Sequence, residues 1–408
     1  MTDSRSRKRN SKRRGSAGKW PALLFVILVT VTAVYFCMKY KDRLIPERET
    51  MSVTIESTEP EEDNVPAPQP EIQVMETEPE TEETEPEPVY KPEITLTFGG
   101  DILFDPNYAI MASMLQRGGD ITTSFDEGLM EIMTESDVFM LNNEFPYSDR
   151  GQPLPEKQFT FRAKPEYVSK LSDIGVDIVG LANNHINDYG TEAMTDTFDT
   201  LENAGIPYVG AGRNISEASA PYYMDVEGVR IAFTAATQIE RLSNPDTVAA
   251  TETTPGVFRC LDPDGFIESI KEAKENADFV VAFVHWGTEG EDHTDWLQNE
   301  QAPLLAQAGA DLIIGDHPHV LQKIDIIDGV PCIYSLGNYL FNSSSLDTCL
   351  VTATIDTQTK TLKSFQFIPA FQSGCRTKKL DGSEKDRVIQ YMRSLSDGVT
   401  INDDGFVY

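Results

Sequence analysis

From Ile94 onward, short apolar runs that read as buried strands alternate with stretches whose apolar residues recur at helical spacing. That alternation places the chain in the α/β class, with a largely parallel central sheet. Strands are expected at Ile94–Phe98, Val138–Leu141, Asp177–Leu181, Arg230–Ala235, Phe279–Val284 and Leu312–Ile314. Helices are expected between them at Pro165–Ile174, Thr191–Ala204, Gly265–Ala277 and Thr294–Ala308. Further on the rhythm becomes hairpin-like: Gln322–Ile327, the turn Asp328-Gly329, Pro331–Ser335, then Cys349–Ile355 and Thr361–Ile368. The sheets are therefore mixed, with antiparallel strands on one side. Residues 94–408 suffice for one large domain.

The residues before this domain obey different physics. Residues 1–46 carry a net charge of +9, 47–93 carry −14, and the rest carry −27 of the total −32. So acidic a chain excludes a general nucleic-acid binder, which needs a basic surface to neutralise phosphates. A basic tail (1–19) precedes an uncharged run from Trp20 to Met38, which as a helix spans roughly 28 Å, about the thickness of a bilayer core. No small-x-small cleavage site follows it, so residues 20–40 read as an uncleaved single-pass anchor rather than a signal peptide. The basic tail stays cytoplasmic and the remainder lies outside the cell membrane. Residues 41–93, rich in Glu, Pro and Thr, bury no apolar face and read as a disordered, self-repelling stalk.

Chemistry concentrates after the strands. Of five histidines, His185, His285, His317 and His319 all follow predicted strands, and the carboxyl ends of strands are where open α/β sheets bind ligands. Phe98-Gly99-Gly100-Asp101 ends the first strand on a carboxylate, and Asn142-Asn143-Glu144 repeats the arrangement after the second. Asn183-Asn184-His185 with Asp188 offers an amide, an imidazole and a carboxylate able to orient it. In His317-Pro318-His319, alternation along an extended segment would put both rings on one side. Carboxylate, amide and imidazole donors together suit Mn, Fe or Zn better than Ca or Mg. Cys260, Cys332, Cys349 and Cys375 form no pair of metal-site spacing and read as buried thiols. His293, among acidic neighbours, reads as a solvated histidine.

In order along the chain, these pieces resemble the bacterial capsule-synthesis protein CapA family, associated with poly-γ-glutamate capsules. The matching residues are Gly100-Asp101, Asn142-Asn143-Glu144, Phe161-Arg162-Ala163-Lys164-Pro165, Asn183-Asn184-His185 through Asp188-Tyr189-Gly190, His285-Trp286-Gly287 with Glu289, Gly315-Asp316-His317-Pro318-His319 and Ser335-Leu336-Gly337-Asn338. The resemblance implies a metallophosphatase-like sandwich of two mixed β-sheets flanked by helices. It implies Asp101, Glu144, Asn184, His285, His317 and His319 as ligands of one or two divalent ions, and His185 as a proton donor held by Asp188. There are two departures. Phosphoesterases commonly place a histidine where Leu103 stands, and the second carboxylate is Glu144 rather than aspartate.

Arg162 and Lys164 form a basic spot in an acidic domain and read as contacts for an anionic substrate, with surface ion pairing as the alternative. Asn338 is read as a further substrate contact, with a turn role as its alternative; Trp286 and Tyr339 are core aromatics or substrate platforms. The expected protein is a metal-dependent hydrolase of phosphoesterase type acting on an anionic envelope polymer or its precursor, beside a membrane synthase complex. Its rival is a non-catalytic polymer-binding or export factor on the same fold. The charge asymmetry around Trp20–Met38 predicts that protease added to intact protoplasts removes the stalk and releases a soluble domain beginning near Ile94. Protection until the membrane is permeabilised would reverse the orientation.

Overall fold

Strand formation begins at Glu93, next to the change in sequence character at Ile94. The computed structural model describes residues 90–240 and 247–408; the basic tail, the anchor run and the stalk up to residue 89 lie outside the described residues. Among the described residues no helix is long and apolar enough to cross a membrane.

The larger sheet is built on β1 (Glu93–Ile102), β2 (Val138–Asn143), β3 (Ile178–Gly180) and β4 (Tyr208–Val209), successive parallel neighbours. β13 (Asn338–Leu340) runs parallel to the end of β1. On the other side β14 (Leu346–Asp356), β15 (Thr361–Ser373) and β16 (Arg376–Lys379) continue antiparallel, and β17 (Phe406–Val407) pairs with β15. The second sheet has the order β11 (Ile324–Ile327), β12 (Val330–Ile333), β10 (Leu312–Asp316), β9 (Phe279–His285), β7 (Val229–Thr237) and β6 (Tyr222–Val226), with both edge strands antiparallel. β5 (Ala211–Gly212) and β8 (Gly256–Val257) make a separate two-stranded pair.

Side-chain alternation turns these sheets into layers. Ile94, Leu96 and Phe98 of β1 meet Phe279, Val281 and Phe283 of β9 in a core between the sheets. Val280, Ala282 and Val284 point the other way, onto helices Asp264–Asn276 and Trp296–Ala308. Phe139 and Leu141 face helices Ala109–Gln116, Glu127–Glu135 and Thr191–Ala204. The result is a helix–sheet–sheet–helix sandwich. Each fully buried Leu, Ile or Phe contributes about 1.5–3 kcal/mol relative to exposure.

The expected strands form, and both sheets are mixed, as the hairpin-like rhythm implies; the helix expected at Pro165–Ile174 is instead a 3₁₀ turn, Pro165–Val168, followed by one short helical turn, Ser169–Asp173. The helix Thr191–Ala204 has the expected bounds, stopped by Gly205 in a left-handed conformation at φ 71°. The helix expected from Thr294 starts at Trp296, because Asp295 and Gln298 close a capping box around its first turn. Helix Ala109–Gln116 carries no start signal in the sequence: its N-cap position holds Tyr108, which makes no side-chain cap bond, and its first turn has no acidic residue. The four cysteines of the domain are free and buried, as expected.

An irregularity in β1 sets the direction in which Asp101 points. The pairing with β2 slips between Gly99 and Asp101, so Gly100 is an extra residue in the strand. Phe98 pairs with Met140 and Asp101 with Asn142, so the bulge puts Asp101 on the face of Phe98 although the two are three residues apart. A Cβ on Gly100 would lie 1.9 Å from the Gly337 carbonyl oxygen. Gly100→Ala is therefore expected to lower the unfolding free energy by about 1–3 kcal/mol, measured by urea denaturation; an unchanged midpoint would mean that the strands part without cost.

Candidate metal centre

The inter-sheet core is apolar up to one layer and charged in the next. Phe98, Met140, Phe283 and Ile314 form the last apolar layer. The next residues on the same face are Asp101, Asn142, His285 and Asp316, none more than 1% exposed. Register places them side by side: Asp101 opposite Asn142 in the larger sheet, and Asp316 opposite His285 in the smaller. The loops after the strands add Glu144, Asn183-Asn184-His185, His317 and His319, each buried or, for His319, partly exposed at its side chain.

Within this cluster the donors face one another. His285 Nδ1 is 2.9 Å from Asp316 Oδ1, and its Nε2 is 2.8 Å from Asn184 Oδ1, 3.0 Å from His317 Nδ1 and 3.7 Å from Glu144 Oε1. His319 Nδ1 lies 2.8 Å from Asp101 Oδ2, and Asn142 Nδ2 donates to Asp101 Oδ1 at 2.8 Å. Asn183 Nδ2 in turn donates to Asn142 Oδ1. Three overlapping sets bring ligand atoms within 4.8 Å of one another: Glu144, His285 and His317; Asp101, His285 and Asp316; Asp101, Glu144 and His319.

Beside the cluster sits a second arrangement. Asp188 accepts hydrogen bonds from His185 Nδ1 at 2.7 Å, the Phe161 N–H at 2.6 Å and Lys157 Nζ at 2.6 Å. Lys157 also donates to the Asn184 carbonyl at 2.5 Å. The Phe161 ring lies 4.3 Å from that of His185. Held in this way, His185 points Nε2 toward Glu144 Oε1 at 3.9 Å.

The electrostatics follow from crowding and burial. Burial pushes the Glu144 carboxyl well above the ordinary range, and the charges of Asp101 and Asp316 add to it. Burial and Asp101 do the same to Asp316. Burial would also raise Asp101, but the hydrogen bond and charge of His319, with His285 and Asn142, hold it below its usual value. Burial takes His285 down to about 3 and also lowers His185, outweighing Asp188. Burial alone would lower His319 too, but its hydrogen bond to Asp101 and the charges of Asp101 and Glu289 raise it.

These residues fit a divalent cation. Glu144 Oε1 and Asp316 Oδ2 are buried oxygens with no hydrogen-bond partner among the described residues, a condition that costs a carboxylate several kcal/mol unless a cation or proton compensates. With its Nδ1 held by Asp316, His285 turns Nε2 toward the Asn184 and Glu144 oxygens. Lone pairs converging on one space repel each other, and a shared cation reverses that. Mixed nitrogen and oxygen donors match Mn, Fe or Zn.

The family model described as bacterial capsule synthesis protein PGA_cap matches residues 95–343, which hold every donor named above. The chain belongs to this family. Relatives of the PGA_cap chain include the PGA biosynthesis protein CapA of Bacillus subtilis, 34% identical over 61% of this chain and 63% of that protein. The capsule biosynthesis protein CapA of Bacillus anthracis is 32% identical over 61% of this chain and 60% of that protein. The chain thus spans less than two thirds of each relative's length. A solved phosphatase from Mycoplasma pneumoniae aligns with 70% of this chain and 95% of its own at 13% identity and a TM-score of 0.43, too weak a likeness to add to the site's chemistry.

In this PGA_cap member all six expected ligands, Asp101, Glu144, Asn184, His285, His317 and His319, come together, and His185 pairs with Asp188 as expected. His317 and His319 converge by a different route from the expected extended segment. Both have left-handed backbones, at φ 94° and 61°, conformations that cost a non-glycine residue about 1–3 kcal/mol and recur at functional sites. The two basic candidates separate. Arg162 lies over the Tyr189 ring at 4.1 Å, beside Asp188 in sequence, whereas exposed Lys164 pairs with Glu166 at 3.5 Å. Asn338 is buried in register with Asp101. Trp286 and Tyr339 are core aromatics, the indole N–H bonded to the Tyr334 carbonyl, and His293 is solvent-exposed.

Sequence reasoning leaves out three contributors. Asp316 reads there only as part of a motif, yet it orients His285. Lys157 is buried, its side chain 6% exposed, against Asp188. Asn142 is passed over for Glu144, although it bonds Asp101. The signal for Asp316 is its place just past an apolar strand.

Neutralising these carboxylates should be visible as stability. Mn²⁺ or Zn²⁺ at a free concentration near 100 times its Kd should stabilise the protein by about 2.7 kcal/mol, read as a raised urea midpoint. Glu144→Gln combined with His317→Ala should abolish the shift; a shift of the same size in that variant would place the metal elsewhere.

Proposed function

We propose that this protein is a membrane-anchored, extracytoplasmic, metal-dependent hydrolase that acts on an anionic envelope polymer of poly-γ-glutamate type, or its precursor, in capsule synthesis. The observation that carries the reading is the His185–Asp188 pair aimed at a buried donor cluster: Nε2 lies 3.9 Å from Glu144 Oε1 while Nδ1 is tied to Asp188. The names of the Bacillus relatives support the capsule context, and the uncharged run from Trp20 to Met38 supports anchoring and an extracellular domain.

Asp101, Glu144, Asn184, His285, His317 and His319 would hold the divalent ion, Mn, Fe or Zn, singly or as a pair. Bound there, it would polarise a phosphoryl or acyl oxygen and lower the pKa of water. Asp316 fixes the His285 ring by its hydrogen bond to Nδ1. Asp188 keeps the His185 proton on Nδ1, so Nε2 is the atom that exchanges a proton with the reacting group. Phe161 covers one face of that ring and limits water access. Arg162 over Tyr189 and Lys164 on the exposed surface are the cations offered to an anionic polymer. A membrane synthase complex is the partner class.

The second reading, a polymer-binding or export factor without turnover, has one observation in its favour. Leu103 is buried and apolar at the exit of β1, where a further metal donor would strengthen the site. Substituting His185 separates the two. His185→Ala should keep the metal and the fold and reduce turnover by ~10²–10⁴-fold, the usual effect of losing a general acid or base. His317→Ala should lose metal and turnover together. Assays would run from aryl phosphates to γ-glutamyl oligomers and then to polymer output in cells. Metal loss in His185→Ala would make this histidine a ligand, and normal cellular output from the folded variant would favour the non-catalytic reading.

A further inference from the structure

The end of the larger sheet at which β1 reaches Asp101 carries a second polar feature. β14 and β15 follow β1 in antiparallel succession, with Gly99 opposite Leu350 and Leu346 opposite Gln372. The turn from β15 to β16, where Ser373 pairs with Arg376, therefore lies at the same end of the sheet as the metal centre. Thr377 ties it there, its hydroxyl donating to the carbonyl of Tyr339, the residue after Asn338 in β13.

Two guanidinium groups stand at this turn. Arg117, just past helix Ala109–Gln116, donates to the Ser113 and Ser124 hydroxyls at 2.5 and 2.6 Å, and to the Thr123 hydroxyl and Cys375 carbonyl at 3.3 and 3.4 Å. Each of those acceptors is neutral. Arg376 follows Cys375 and is exposed. Burial and the charge of Arg376 lower the Arg117 guanidinium from its ordinary value. Among the described residues no carboxylate is hydrogen-bonded or ion-paired to either arginine, although residues 94–408 carry −27. Arginines elsewhere do find acids: Arg213 pairs with Asp199 and Glu202, and Arg387 with Asp347. Lys378 joins Arg376 along a groove of about 360 Å³ whose carboxylate, Asp126, is engaged by the Leu129 and Lys379 N–H groups. Like charges held together repel, and an anion between them reverses that.

The cations continue toward His185. Lys170 donates to the carbonyl of Gly119, close after Arg117, and shares the Tyr167 ring with Lys164 at 5.7 and 5.9 Å. Lys164 stands near Arg162 in sequence, whose guanidinium covers Tyr189 beside Asp188. The acids next to this line are occupied, Glu166 by Lys164 and Asp120 by the Thr122 N–H and hydroxyl.

We propose that Arg117, Arg376 and Lys378, continued by Lys170 and Lys164, form a track that binds an extended polycarboxylate chain leading to the metal centre. Arginine forks grip carboxylates through paired hydrogen bonds, and a chain held at one point is presented to the next at high effective concentration. This rests on the anionic-polymer reading above and is independent of turnover.

Fluorescence anisotropy of end-labelled γ-glutamyl oligomers, with the full-length chain in detergent and no added metal, tests the track. Arg376→Gln combined with Lys378→Gln, both at exposed positions, should weaken binding at least ~5-fold. The difference from wild type should close near about 1 M salt, where the screening length falls to about 3 Å. Arg376→Lys with Lys378→Arg keeps the charge and should keep most of the affinity. Lys271→Gln, on helix Asp264–Asn276 against the other sheet, should leave binding unchanged. Wild-type affinity in the double glutamine variant, or an equal loss in Lys271→Gln, would overturn the track and leave the hydrolase reading standing. Loss of binding to anionic phospholipid vesicles in that variant, with oligomer binding intact, would overturn it in favour of a membrane contact. Binding through the track with no hydrolysis of the oligomers once metal is supplied would support the track and favour the non-catalytic reading. A wild type that binds no oligomer at low salt would overturn the track and the polymer substrate together.

Discussion

Three carboxyl groups, Asp101, Glu144 and Asp316, are at zero exposure in the same few ångströms of the interior, and this dictates the architecture around them. Burying even one unpaired carboxylate is costly, and three together repel strongly in a medium of low polarisability. The fold answers with imidazoles and amides brought from separate chain segments: His285, His317, His319, Asn142 and Asn184. Two carboxylate oxygens still have no partner among the described residues. The cluster is thus incomplete as a set of protein groups, and its remaining need is for positive charge.

The sandwich supplies this cluster economically, because both sheets contribute from the same layer. The parallel strands β1, β2, β9 and β10 end their apolar inner faces at Phe98, Met140, Phe283 and Ile314, and the next inward position on each is polar. Gly100 and Gly315 make the close approach feasible. A Cβ at Gly315 would lie 2.2 Å from the Tyr334 carbonyl oxygen, as one at Gly100 would meet that of Gly337. Both glycines directly precede a site aspartate, so backbone packing and ligand placement are solved by the same dipeptide.

The His185 arrangement differs in kind from the donor cluster. Its aspartate is fully engaged by Lys157, the Phe161 N–H and the ring itself, so the ring orientation is set without help from the other carboxylates. The segment that carries Lys157, Phe161 and Arg162 contacts the His185–Asp188 loop through backbone, charge and ring stacking together. Net charge does not distinguish the buried Lys157 ammonium from the solvated one of Lys164.

The family resemblance implied the six donors as ligands, whereas the strand and helix alternation, the polar residues at strand ends and the spacing of His185 and Asp188 are legible in the chain alone. Each is a local signal: an apolar run of strand length, a polar residue at its end, a histidine three residues before an aspartate. Register and layer assignment lie outside local patterning, since they depend on which strands become neighbours. Hence the strand order within each sheet, the pairing of Asp101 with Asn338 across β1 and β13, and the hold of Asp316 on His285 emerge only in the tertiary structure. The left-handed backbones of His317 and His319 belong there too, because an isolated His-Pro-His favours extended conformations. Only the surrounding sheets and loops hold those residues where the chain alone would not go.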